Sequence, residues 1–120
     1  MLFRSLSNVL TGLALSRDRL LVGGESGLSS SSDGVRWSPV SSIDRPVYWL
    51  DRINGICFAL GQELIARSTN GVDWVPGRGP GGDPIGGEFF GVLPWGGGYL
   101  AFGGKSGVGG VVLFSKDGIG

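Results

Sequence analysis

Ser31-Ser32-Asp33-Gly34-Val35-Arg36-Trp37 decides the fold, because it recurs. It returns as Ser68-Thr69-Asn70-Gly71-Val72-Asp73-Trp74 and begins again as Ser115-Lys116-Asp117-Gly118-Ile119-Gly120, one residue short of its Trp. The shared pattern is Ser-x-Asp/Asn-Gly-x-x-Trp. Asp-Gly and Asn-Gly mark tight hairpins, whose turns need a positive φ that Gly adopts freely and Asn or Asp tolerates. The Ser two positions earlier and the Asp or Asn side chain can both hydrogen-bond the turn backbone. The Trp three residues past the Gly is then expected on the returning strand, with its ring covering a small sheet. Each copy thus reads as strand, turn, strand. Ser31, Asp33, Gly34, Trp37, Ser68, Asn70, Gly71, Trp74, Ser115, Asp117 and Gly118 are assigned structural roles in the turn.

A second anchor lies upstream, an apolar strand ending in Gly: Leu20-Leu21-Val22-Gly23, Phe58-Ala59-Leu60-Gly61 and Leu100-Ala101-Phe102-Gly103. Aligned on it without gaps, Val9-Leu10, Val47-Tyr48 and Phe89-Phe90 also correspond, and the anchors stand 38 and 42 residues apart. Strands are expected at 9–15, 19–24, 27–32 and 35–40, then 46–53, 56–61, 63–69 and 72–76, then 88–94, 98–104 and 110–116. The Gly- and Pro-rich run 77–87 is a loop, and 105–110 lengthens the last hairpin. The first two strands of each unit are almost continuously apolar, which suits strands covered on both faces, and the outer two are mixed. A period near 40 with four strands per unit is that of a β-propeller. The fold class expected is therefore all-β, with propeller-like repeats in three four-stranded blades over about 9–43, 44–86 and 87–120.

The fourth strand of the last unit has a candidate at the other terminus. Met1-Leu2-Phe3-Arg4-Ser5-Leu6 matches Val35-Arg36-Trp37-Ser38-Pro39-Val40, with Phe3 on Trp37. Strand 1–6, from the same or a neighbouring chain, would close the blade and leave no open edge. Propellers have about four to eight blades, so three call for partners: a dimer closing a six-bladed ring is the simplest. A piece of a longer propeller, or a flatter β-sandwich of the same repeats, are the alternatives.

Composition narrows the function classes. The 120 residues suit one domain, and 25 Gly with 41% apolar residues suit short strands and tight turns. Ten basic and ten acidic residues balance, which argues against nucleic acid as a partner. No apolar run is long enough for a membrane span. Cys57, the only cysteine, sits in an apolar run and reads as a small buried hydrophobe. The absence of His removes the commonest general base and zinc ligand, and no calcium-loop pattern occurs. No cofactor is expected. Gly98 to Ser106 approaches a phosphate-loop pattern but is one residue off, and no helix can start in Gly107-Val108-Gly109-Gly110.

The Ser-x-Asp-Gly-x-x-Trp copies resemble the Asp-box, the repeat of sialidase-type propellers and their non-enzymatic relatives. The resemblance covers all three units. It departs from the usual pattern, which has one more residue between Asp and Gly, and Asn70 replaces Asp in the second copy. In that family the box is a fold element away from the active-site mouth, so the resemblance implies architecture and not sialidase activity. The eight arginines do not fall into a carboxylate-binding triad, and Tyr48 and Tyr99 stand in apolar strands as packed phenols. The chain is therefore expected to be no enzyme but a structural or binding module that self-assembles or joins other subunits. Similar repeats occur in bacterial and phage proteins, including virion components, which implies a virion or extracellular setting. The alternatives are a carbohydrate-binding propeller lectin, with Trp49 and Trp95 stacking on a glycan, or a fragment of a larger sialidase-like propeller.

Overall fold

Short apolar runs separated by two-residue turns build an all-β molecule. The computed structural model describes residues 9–16, 19–78 and 85–117. Among them are three antiparallel sheets and no helix. Sheet 1 holds β1 (Val9–Ser16), β2 (Arg19–Gly24), β3 (Gly27–Ser31) and β4 (Ser38–Pro39). Sheet 2 holds β5 (Val47–Ile53), β6 (Ile56–Gly61), β7 (Leu64–Ser68) and β8 (Val75–Pro76). Sheet 3 holds β9 (Glu88–Trp95), β10 (Gly98–Lys105) and β11 (Gly109–Ser115). Strands neighbour one another in chain order. The expected strand over 1–6 lies outside the described residues.

The tight two-residue hairpins are not those of the repeated motif. Asn54-Gly55 joins β5 to β6 with φ of 52° and 79°, and Gly96-Gly97 joins β9 to β10 with φ of 60° and 77°. Two successive positive φ values are what a type I′ turn requires. Asn54-Gly55 carried that signal in plain sight, between two apolar runs.

Register corrects the alignment of the repeats. Val9, Val47 and Phe89 pair with Gly24, Gly61 and Gly103, and in each sheet the ladder then slips by a residue. Gly24, not Gly23, is thus the counterpart of Gly61. A second irregularity between Ala14 and Ser16 adds a residue to the first hairpin, which a gapless alignment cannot represent. The glycine is a steric requirement in sheets 2 and 3. A Cβ at Gly61 would fall on the Pro46 carbonyl oxygen, and one at Gly103 on the Glu88 carbonyl oxygen.

This register gives every sheet a glycine face, carrying Gly24, Gly61 or Gly103, and an opposite face. The opposite face of sheet 1 (Leu13, Leu21, Leu28) packs on the glycine face of sheet 2 (Val47, Leu50, Ala59, Leu64). Val47 fills the space over Gly23 that a Cβ would occupy. The opposite face of sheet 2 (Trp49, Phe58, Leu60, Ile65) packs in turn on the glycine face of sheet 3 (Phe89, Val92, Tyr99, Ala101). One face relation therefore serves both junctions. At the first junction β1 and β2 meet β5, and at the second β9 meets β5 and β6. The Leu50 amide donates to Thr11 Oγ1 at 3.3 Å, and the slipped residues Tyr48 and Phe90 stack with centroids 5.5 Å apart. β6 lies in the middle and is buried on both faces, as its apolar run predicts. β2 and β10, equally apolar, are covered on one face only.

Candidate functional site

The repeated motif is a hydrogen-bonded loop. Ser31 Oγ accepts from the amides of Asp33 (3.2 Å) and Gly34 (2.8 Å) and donates to Asp33 Oδ1 (3.1 Å). Oδ1 accepts in turn from the amides of Val35 (2.8 Å) and Arg36 (2.9 Å). The second copy repeats this bond for bond: Ser68 accepts from Asn70 (3.2 Å) and Gly71 (2.8 Å), and Asn70 Oδ1 accepts from Val72 (2.8 Å) and Asp73 (2.9 Å). An amide oxygen thus takes the carboxylate's place at the same two amides, and Asn70 Nδ2 adds a bond to Asp73 Oδ2 at 3.0 Å. The third copy keeps the bond from Ser115 Oγ to Asp117 Oδ1 at 3.1 Å, and the Arg67 guanidinium donates to the Asp117 carbonyl. Gly118 lies outside the described residues.

Two expectations about this motif change. Gly34 and Gly71 adopt φ of 79° and 80°, but Asp33 and Asn70 do not join them at positive φ, so the turn is not a two-residue hairpin. The side-chain oxygen captures the two amides after the Gly, and those residues cannot enter the ladder. The returning strands consequently begin at Ser38 and Val75 rather than at 35 and 72, and each ends at a proline. Trp37 and Trp74 stand just before these strands. Trp74 is buried and donates from Nε1 to the Gly71 carbonyl at 3.1 Å, which ties the ring to its own loop. Trp37 is half-buried.

The motif is electrostatically quiet. The amides of Arg36 and then Val35 hold the Asp33 carboxyl below its ordinary value, as hydrogen bonds to a charged form do. Burial pushes the Cys57 thiol up, with Arg52 opposing, which is the environment of an unreactive thiol.

The two tryptophans outside the motif separate. Trp49 is half-buried and packs between sheets 2 and 3. Trp95 is 65% exposed and meets Phe114 edge-on, with centroids 6.5 Å apart. Trp95 belongs to a feature that sequence reasoning missed, the opposite face of sheet 3. Leu93 (54% exposed), Val112 (65%), Phe102 and Phe114 lie there in register with Leu100. Leu100 and Phe102 occupy the positions at which Phe58 and Leu60 are buried in sheet 2. The apolar alternation was legible, but it does not say whether a neighbour covers it.

The described ionisable groups lie in separate places. Arg19 and Arg52 line a groove of about 310 Å³ with Thr69 and Asn70. Arg45 pairs with Glu63 at 2.9 Å in an exposed bridge, beside Arg78. Tyr99 packs tilted against Phe58 with centroids 4.9 Å apart. Among the described residues no group of three or more His, Cys, Asp and Glu is placed to hold a metal ion, and no helix is long and apolar enough to cross a membrane. No protein-family model, no curated protein and no solved structure matches this chain.

Proposed function

We propose that this chain is a non-enzymatic β-propeller module that acts by assembling with copies of itself. In this reading the three sheets are successive blades, and the loops at Ser31, Ser68 and Ser115 are Asp-box-like fold elements on their outer hairpins. The observation that carries the reading is the repeated face relation. A stack in which every sheet offers its opposite face to the next sheet's glycine face has no intrinsic end, and closing on itself, with no polar-faced capping sheet among the described residues, leaves no apolar face exposed. Two chains supply six sheets, within the range in which propeller rings close. The Asp-box likeness favours a structural setting, a virion or a bacterial surface, over hydrolysis. That setting is an inference from likeness of fold element and not from a site.

Light scattering on the purified chain tests the reading. The expected mass is twice the 12.4 kDa of one chain. A folded species of single-chain mass would contradict it. A second reading, glycan binding, draws on the exposure of Trp95 alone. It requires glycan-array binding that Trp95→Ala abolishes, and a blank array removes it.

A further inference from the structure

Six apolar side chains occupy the opposite face of sheet 3: Leu93, Trp95, Leu100, Phe102, Val112 and Phe114. An apolar face of this extent on a small protein marks an interaction surface. In sheets 1 and 2 the corresponding face is covered, each time by the glycine face of the next sheet. The glycine face that no described sheet covers is that of sheet 1, where Leu20, Val22 and Ser29 are half-buried and Gly12 is exposed. We infer that the opposite face of sheet 3 docks on the glycine face of sheet 1 from a second copy of this chain, and that the same joint forms a second time to close the pair. The inference rests on the reading of the chain as a self-assembling stack and names the surfaces that would do it.

Two observations select this occupant. The first is continuity: the joint repeats the relation that holds sheet 1 to sheet 2 and sheet 2 to sheet 3. The second is bulk. At the first junction a small residue, Gly23, receives a larger one, Val47. At the new joint sheet 3 presents Phe102, Phe114 and Trp95, and sheet 1 presents the small residues Gly12 and Ser29 on either side of Val22. Large side chains meeting small ones fill space as a protein interior does, and burying several aromatic and branched residues supplies the drive. The rings of Phe102 and Phe114 already lie over Gly91 and Gly98 of their own sheet, so their positions are set before docking. A face-to-face pair of two sheet-3 surfaces would instead bring large side chains against large ones.

Mixing variants decides it. Val112→Lys blocks the face of sheet 3, and Gly12→Lys blocks that of sheet 1. Each alone is expected to run at single-chain mass in light scattering, with circular dichroism unchanged. Mixed in equal amounts they retain one good joint, and a species of two chains is expected to return. Leu93→Lys on the neighbouring strand serves if Val112→Lys does not fold, and Leu20→Lys serves likewise for Gly12→Lys. If Gly12→Lys stays assembled while Val112→Lys dissociates, the face pairs with itself and the inference fails. If Val112→Lys and Leu93→Lys both stay assembled, the face is not the joint and the inference also fails, although the self-assembly reading survives. A wild-type chain of single-chain mass overturns that reading together with the inference.

Discussion

Asp33 and Asn70 each gather the same two backbone amides with different chemistry, and that makes them a natural comparison. The Asp33 carboxyl titrates below 3.8, so the stability it lends is complete above the unfolded value and is lost as pH falls through the lower folded one. Asn70 does not titrate. Protection of the Val35 and Arg36 amides, relative to their intrinsic exchange, is therefore expected to fall as pH drops through the lowered Asp33 value, while that of Val72 and Asp73 holds. Asp33→Asn should abolish the difference, and equal acid sensitivity of the two loops would contradict the assignment. Ser68 carries more weight. It is buried and accepts two amides, so Ser68→Ala leaves the Gly71 amide without its partner and is expected to cost about 1–3 kcal/mol in chemical denaturation. At this scale the sequence was legible in residue type but not in geometry. Ser, Asp and Gly were assigned to a turn from their side-chain chemistry. The number of amides that one oxygen gathers, and hence the loop's length, is set by the folded geometry and not by residue type.

Element positions were read well because alternation and two-residue turns are local signals. The bounds of β2 and β6 match the expected spans, while β4 and β8 are shorter because the motif loop takes residues from them. The slip of one residue at Gly23 has a different origin. A bulge leaves no mark in composition, and only the ladder shows that Val9 faces Gly24. Bulge and glycine form one device, since the carbonyl of Pro46 or Glu88 occupies the space of the missing Cβ. Gly61→Ala is therefore expected to cost about 3 kcal/mol or more, because backbone rather than a side chain would have to move. Gly55→Ala, at φ of 79° but with nothing within 4 Å of the added carbon, should cost only about 1–2 kcal/mol. Similar losses at the two positions would show that close approach does not matter at Gly61.

For the molecule as a whole, the stacking of sheets was anticipated and its boundary was not. The apolar strands of all three units look alike, yet β6 is buried on both faces while β2 and β10 are covered on one, so like sequences meet unlike surroundings. The exposed aromatic face of sheet 3 is where that difference is expressed. A single chain has a radius of gyration of 14.3 Å and extents of 47 × 30 × 22 Å, more elongated than a rounded body. Two chains closed into a disc of six sheets would have a radius of gyration of roughly 18 Å by the size scaling of compact domains. Small-angle scattering at known concentration reads mass and shape together. Twice 12.4 kDa with a radius near that value is the predicted result. A folded particle of 12.4 kDa with a radius close to 14.3 Å would contradict the account.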